Sequence, residues 1–352
     1  MRLLSPFSSI LQAAHQAPSA DNSQPWRLEW QNSCLHVHYD TSRVGDKTFP
    51  PDNPATLLSM GAVIENIRQA AQAINCPVKF EVEHNLNFDK PLYFKALFET
   101  KETNIEHDIQ NIALFKRHTN RHPYQSKPIS DSVLEVLKKL TLDDSRILVF
   151  HQPNQIKPIA KLVRLASEIR FRTQDVHEWL AKSLRFDATS AADGDGLDLA
   201  TLHLPPGGKS FLKLISDWQR MNFFNRFGAY KVLALIDAAP INQAPTLIAI
   251  VGPQNFADYL SSGQLMERIW IELNAQGIAV QPYYVVADQL HRRTTHTVPA
   301  GLTDAADEVF NQAKELFRLN SGETLHMLLR IGYPTKTPVL SQRLPLEVVC
   351  SN

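Results

Sequence analysis

Cysteine is scarce in this chain. The three present among 352 residues, Cys34, Cys76 and Cys350, are an odd number without metal-type spacing. That argues against a disulfide framework and fits a reducing cytoplasm. An excess of either charge is missing too: Lys+Arg and Asp+Glu both number 36, so the formal net charge is zero. Phosphate backbones and anionic membranes are bound through a basic excess, so neither nucleic acid nor a membrane is expected as the main partner. No apolar run approaches the ~20 residues of a membrane helix. The start, Met1 to Leu11, holds one basic residue, and its apolar stretch is broken by Ser5, Pro6, Ser8 and Ser9. It reads as the lead into a helix rather than a signal peptide. There is no P-loop, no Gly-x-Gly-x-x-Gly and no Ser/His/Asp order, so nucleotide hydrolysis and Rossmann-type NAD binding lack support.

What is present is enough chain for a large core, with 43% hydrophobic residues. Residues 7–16 are expected to form a short helix. Residues 27–30 and 35–39 alternate like strands around a turn at 31–33, and residues 78–82 and 92–98 read as two more. Between them Leu57, Met60, Ile64, Ile67, Ala71 and Ile74 recur at helical spacing on one face. A second half is expected from about Ile109. It holds a helix over 130–140 with Ser130 or Asp131 as N-cap, a strand over 147–150, mostly helix over 155–190 and a strand over 246–252. Helices over 260–276 and 305–319, a strand over 327–332 and an extended tail over 333–352 complete it. Asp193-Gly194-Asp195-Gly196 and Pro205-Pro206-Gly207-Gly208 mark 191–208 as an irregular excursion, a composition often found in lids.

The two long helices share a pattern. Ala55, Leu58, Ser59, Gly61, Glu65, Ile67, Ala73 and Val78 recur 202 residues later as Ala257, Leu260, Ser261, Gly263, Glu267, Ile269, Ala275 and Val280. These are eight identities in 24 ungapped positions, where chance gives about one or two. Two amphipathic helices explain the matched Leu and Ile; the matched Gly and Glu point to two related halves packed as a pseudo-symmetric pair. The division expected is 1–107 and 108–352, the latter with an excursion over 191–245.

Two short segments carry most of the polar chemistry. Ala17 to Trp26 is a Pro-bounded loop in which Asp21-Asn22-Ser23-Gln24 can present amides to a flat heteroaromatic edge. It reads equally as a turn before a strand, with Trp26 in the core. In Arg117 to Tyr124, Arg117, Thr119 and Arg121 alternate, so an extended segment would aim them to one side, as a terminal phosphate requires. A solvated basic patch is the plain alternative. Gly277 suits a helix C-cap, and Gln281-Pro282-Tyr283-Tyr284 after it could lie over a ring or simply connect helix to strand. His36 and His38 stand two apart on a strand but lack a third ligand, so no metal is expected. His291 and His296 read as a solvated basic loop.

Taken together, these segments resemble the FMN-dependent nitroreductase family, most closely its single-chain tandem, Acg-type branch. Ala17–Trp26 is similar to the family's Ala-Pro-Ser-x-x-Asn-x-Gln-Pro-Trp loop, and Arg117–Tyr124 to its Arg-Arg-Ser/Thr-x-Arg-x-Phe/Tyr element. Gly277–Tyr283, Asp193 to Leu204, and Arg330-Ile331-Gly332-Tyr333-Pro334 with Ser341 and Arg343 resemble the tandem branch. The resemblance implies an α+β fold: a mostly antiparallel sheet with long core helices, built here as a fused pseudo-dimer with one complete FMN site per chain. It implies that Arg117, Thr119, Arg121 and Arg343 hold the phosphate, with His118 and Ser341 beside the ribityl end. Pro18, Ser19, Asn22 and Gln24 would reach the ring from the other half, and Gln281, Pro282 and Tyr283 would line it.

Thr119 stands where the family usually has Ser, and Tyr283-Tyr284 replaces small or acidic residues, which together with the excursion would restrict access. The implied activity is hydride transfer from NAD(P)H through FMN to a nitroaromatic, quinone or similar small acceptor, without a protein acid or base. An FMN-sequestering protein that does not turn over, a flavin enzyme dehydrogenating a heterocycle in a modified peptide, and a helical interaction protein without flavin are the alternatives. A cytoplasmic location, and a monomer or homodimer, accompany this reading.

Overall fold

Two twenty-residue helices, Pro54–Ala73 and Phe256–Ala275, pack against each other face to face. Each starts on an asparagine whose side chain accepts an amide hydrogen bond in the first turn, Asn53 from Ala55 and Asn255 from Asp258. Two glycines set how closely they approach. A Cβ on Gly61 would run into the Leu260 carbonyl and lie 2.9 Å from the Cα of Gly263; a Cβ on Gly263 would run into the Leu58 carbonyl. The contact is reciprocal at the same offset of 202 residues, so residues matched in sequence are matched in space.

The structure, a computed structural model, describes residues 7–45, 47–83, 86–99 and 109–351. The first six residues and the boundary expected at 107/108 lie outside the described residues. The fold is mixed α+β with mainly antiparallel sheets, as expected. Strands β1 Trp26–Gln31, β2 Cys34–Tyr39, β3 Val78–Val82 and β4 Leu92–Phe98 lie in the order β1-β2-β4-β3. The second half contributes β5 Thr141–Leu142, β6 Ser145–Phe150 and the small parallel pair β7 Leu184–Arg185 and β8 Leu197–Asp198. It continues with β9 Thr246–Pro253, β10 Ala279–Tyr283 and β11 Glu323–Gly332, and its sheet runs β10-β11-β9-β6-β5. In both sheets two main strands precede the long helix and two follow it, in the spatial order first, second, fourth, third. The last strand, β12 Cys350–Ser351, crosses to the first sheet and pairs parallel with β1.

The β9 run Leu247-Ile248-Ala249-Ile250-Val251 is apolar throughout because both faces are covered. Ile248 and Ile250 join the core around the two long helices; Leu247, Ala249 and Val251 join a second core under the helices Pro153–Arg170, Val285–Thr294 and Thr303–Leu316. The first sheet is covered on one face only, so β3 alternates between partly buried and exposed residues.

Most elements fall where periodicity places them. Two expectations need correction, and one region holds more than its composition told. His291 is not in a loop: it lies on the Val285–Thr294 helix, and Arg292 beside it is buried because Asp288 and Asp175 pair with its charge. The run expected to be irregular over 191–208 holds, between its ends, only β8 and a single 3-10 turn at Leu199–Thr201, and the remainder of the 191–245 excursion is helical at Gly208–Ile215, Trp218–Asn225 and Ala229–Asn242. Ser130 occupies the N-cap position of Asp131–Lys138, but its hydroxyl bonds Ser132 Oγ (3.1 Å) rather than the helix backbone.

Candidate functional site

The two polar segments meet. The helix Phe7–His15 runs into the first segment, and Arg117 of the second donates through Nη2 to the Gln16 carbonyl at 2.8 Å. Arg343, from the tail, converges on the same place, donating to the carbonyls of Gln16 (2.9 Å) and Ala17 (2.8 Å). The Arg117 guanidinium is 5% exposed and lies 4.7 Å from the Trp270 ring, with its Nε 2.8 Å from Oε1 of Glu267, which is fully buried on the long helix. That approach is off the hydrogen-bonding direction, so Arg117 Nε and both Glu267 oxygens lack a hydrogen-bond partner.

Charge is poorly balanced here. Burial pushes the Glu267 carboxyl up to about 7 against the pull of Arg117 and Arg343. Burial, with Arg117 adding to it, pushes Arg343 down to about 9. Two guanidiniums facing one reluctant carboxylate leave a surplus of positive charge away from water, which an anion would relieve. A phosphate, with three acceptor oxygens, fits this donor set. Further along, Arg121 reaches Thr201 Oγ1 at 3.3 Å; burial lowers its pKa while Asp21 and Tyr283 favour its charge. Thr119 forms a parallel bridge with Val280, which brings the arginine segment alongside β10. His118 lies over the long helix: its amide donates to Asn274 Oδ1 and its carbonyl accepts from Trp270 Nε1.

In the first segment, Asp21, Asn22 and Gln24 have φ of 46°, 58° and 50°, a left-handed backbone uncommon outside glycine. Hydrogen bonds hold it. Ser19 Oγ accepts from the Gln24 amide (2.9 Å). The Gln24 side chain donates to the Gly194 carbonyl (2.9 Å) and accepts from the Leu344 amide (3.1 Å). Asn22 donates to the Gln342 carbonyl at 2.9 Å, and Trp179 Nε1 donates to Asp21 Oδ2 at 3.0 Å. The His15 ring completes the tie. Its Nδ1 accepts from Trp26 Nε1 (3.0 Å), so Nε2 carries the proton and donates to the Leu344 carbonyl (2.9 Å). Burial lowers its pKa to about 4 and keeps it neutral.

Of the expected ring-lining residues, Gln281, Pro282 and Tyr283 form β10, an edge strand where a proline leaves no ladder bond unmade. Gln281 Oε1 is buried without a hydrogen-bond partner, an acceptor free for a ligand N–H. Pro18 and Ser19 stand in the loop beside Ala17. Ser341 is exposed in the tail, next to Gln342, whose carbonyl holds Asn22. A cavity of about 410 Å³ lies elsewhere, on the outer face of the first sheet between Glu29, His36, His38 and Lys90. A second, of about 10 Å³, touches the loop at Ala20, Ser23 and Pro25 under Trp179. The geometry of the arginines, not the size of a cavity, marks the site. Glu267 and Trp179 were not among the expected site residues, and only the Glu65/Glu267 match hinted at the first; Asp21 and Thr201 lie inside stretches the sequence had singled out, Ala17–Trp26 and Asp193 to Leu204, without a role of their own.

Comparison with known proteins bears on this arrangement. The chain is 30% identical over 175 residues to "Putative NAD(P)H nitroreductase acg" of Mycobacterium tuberculosis, covering 49% of this chain and 51% of that one. It is 25% identical over 287 residues to the "Uncharacterized protein MT1398" of the same species, covering 79% of this chain and 38% of that protein. The chain is similar to a protein named as a nitroreductase. It spans about half, or less, of the length of these curated relatives. No protein-family model matches it. Among solved structures, a nitroreductase with bound FMN from Bacteroides fragilis matches at 12% identity and a TM-score of 0.34, over 66% of this chain and 92% of that one. A BluB-like flavoprotein from Clostridium difficile matches at 12% identity and a TM-score of 0.38, over 70% and 99%.

Proposed function

We propose that this chain binds FMN where its two halves meet and acts as an oxidoreductase of the nitroreductase type. The observation that carries the reading is the convergence of Arg117 and Arg343, with a surplus of positive charge, on the Gln16-Ala17 end of the first segment. The identity with the protein named as an NAD(P)H nitroreductase supports it. Arg117, Arg343, Thr119 and Arg121 would hold the phosphate, with His118 and Ser341 beside it. Pro18, Ser19, Asn22, Gln24, Gln281, Pro282 and Tyr283 would face the ring, Asn22 and Gln24 exchanging their present backbone partners for it. When bound, FMN would supply two-electron chemistry between NAD(P)H and a small nitroaromatic, quinone or similar acceptor. The chain would orient the ring and exclude water. The matched helices, their reciprocal glycines and the shared strand order favour a duplicated, fused pseudo-dimer of residues 1–107 and 108–352 in the tandem Acg-type branch, working in the cytoplasm.

The test is a titration of the full chain with FMN, read by flavin fluorescence and visible absorption. About one FMN per chain is expected. Asn22→Ala and Arg117→Ala, in different halves, should each weaken binding roughly tenfold or more, with partial rescue in Arg117→Lys. Failure to take up FMN, or an Asn22→Ala variant with unchanged affinity and spectrum, would rule the shared site out.

A second reading, an FMN-holding protein that does not turn over, is favoured by one feature. The segment carrying Trp179 and Gly194 lies over the first loop and bonds Asp21, Asn22 and Gln24. Stopped-flow mixing of the loaded protein with NADH and NADPH separates the two: bleaching with either donor supports the enzyme, and bleaching with neither supports the holder.

A further inference from the structure

Seven of the twelve exposed large apolar side chains among the described residues fall within residues 211–236. They stand on three consecutive helices, Gly208–Ile215, Trp218–Asn225 and Ala229–Asn242, or on the turn between the last two. On the last helix Val232, Leu235 and Ile236 are spaced by three and four, so they share one face, and it is turned to water. Phe211 and Leu214 do the same on the first. Phe227, 77% exposed, stands at the corner before Gly228, its ring 5.4 Å from that of Phe223. The inner faces of these helices are already occupied, by Ile215, Met221 and Leu233 in a small core of their own.

The charges around this face are one-sided. Within residues 208–236 Lys209, Lys213, Arg220, Arg226 and Lys231 are exposed, against one exposed carboxylate, Asp217, which is occupied capping a helix through the Arg220 amide; from outside the segment, exposed Asp187 faces Lys209. Asp237 is partly buried and bonded to Ser167. In a chain with zero net charge, this segment carries a local surplus of four positive charges beside its largest cluster of exposed apolar groups.

From these positions we infer that the 208–236 helices are a docking surface for an anionic lipid bilayer. Helices that present apolar groups to the acyl boundary and cations to the headgroups lie in the interface plane, the apolar side chains reaching about 5–10 Å in. Each cation near an anionic leaflet adds attraction. A second copy of the chain fits the same face poorly, because a two-fold interface would set this cationic face against an identical cationic face. No described helix is long and apolar enough to cross a membrane, so the association would be peripheral. The inference is independent of the cofactor.

Flotation of the full chain with vesicles tests it. The protein should rise with phosphatidylglycerol/phosphatidylcholine vesicles at low salt, stay behind with pure phosphatidylcholine, and be released by added salt. The pair Lys213→Glu and Lys231→Glu should weaken binding roughly tenfold or more, as should Phe227→Ser with Leu235→Ser. All four substitutions are at exposed sites, and circular dichroism melting checks each variant's fold. Absence from anionic vesicles overturns the inference. So does binding that both variant pairs leave unchanged, or a concentration-dependent dimer in sedimentation velocity that Phe227→Ser abolishes.

Discussion

Glu267 shows how little a residue's identity says before its surroundings are known. In the sequence it is one of two glutamates matched across the repeat; in the fold it is fully buried beside two arginines. Its partner in the match, Glu65, is buried as well but carries hydrogen bonds from Arg268, Arg68 and Gln69, and its pKa falls. Glu267 takes no hydrogen bond from an arginine, and its pKa rises to about 7. The stability consequence has a definite sign. Between the ordinary value of 4.5 and about 7 the folded chain holds a proton that the unfolded chain has released. Stability therefore falls as pH rises through that window and stays lower above it, by up to about 3 kcal/mol. Urea midpoints of the wild type should decline from pH 5 to pH 7.5 by more than those of Glu267→Gln. Parallel pH profiles for the two proteins would show that Glu267 ionises normally.

Among the elements, the two long helices were the most legible part of the chain, because twenty residues of regular apolar spacing outweigh any single exception. Their crossing was not legible in detail. The glycines matched in sequence, but only the packing shows that each Cα faces the partner helix's backbone with no room for a methyl group. Gly61→Ala and Gly263→Ala should therefore each destabilise the protein by ~1–3 kcal/mol, despite the better helix propensity of alanine. Chemical denaturation reads this directly, and a stabilised alanine variant would mean the helices are not in close contact. The Val285–Thr294 helix was missed for the opposite reason. Its buried Arg292 looks like a surface residue until Asp175, from a helix over a hundred residues away, comes to pair with it. The 208–242 helices were hidden by the Gly- and Pro-rich run before them and by an apolar face that turns outward.

For the molecule as a whole, the halves are not independent. One core takes Leu28, Leu35 and Phe94 from the first sheet, Ile248, Ile250 and Leu329 from the second, and both long helices. The last strand completes the first sheet's edge. The full chain should accordingly unfold in a single calorimetric transition; two resolved transitions would mean that each half carries its own stability. Composition measured over the whole chain had a matching blind spot: a net charge of zero averages away a local cluster of five cations. By itself the sequence determined most of the elements, the matched helices and the two polar segments, since these follow from local spacing and residue chemistry; the α+β class came from the family resemblance those segments carry. The tertiary structure alone decided that the segments meet, that Arg117 and Arg343 share the carbonyl of Gln16, and that Glu267 pairs with Arg117. Those are contacts across about a hundred to more than three hundred residues of chain. They depend on how two sheets and two helices pack, and no local pattern records that.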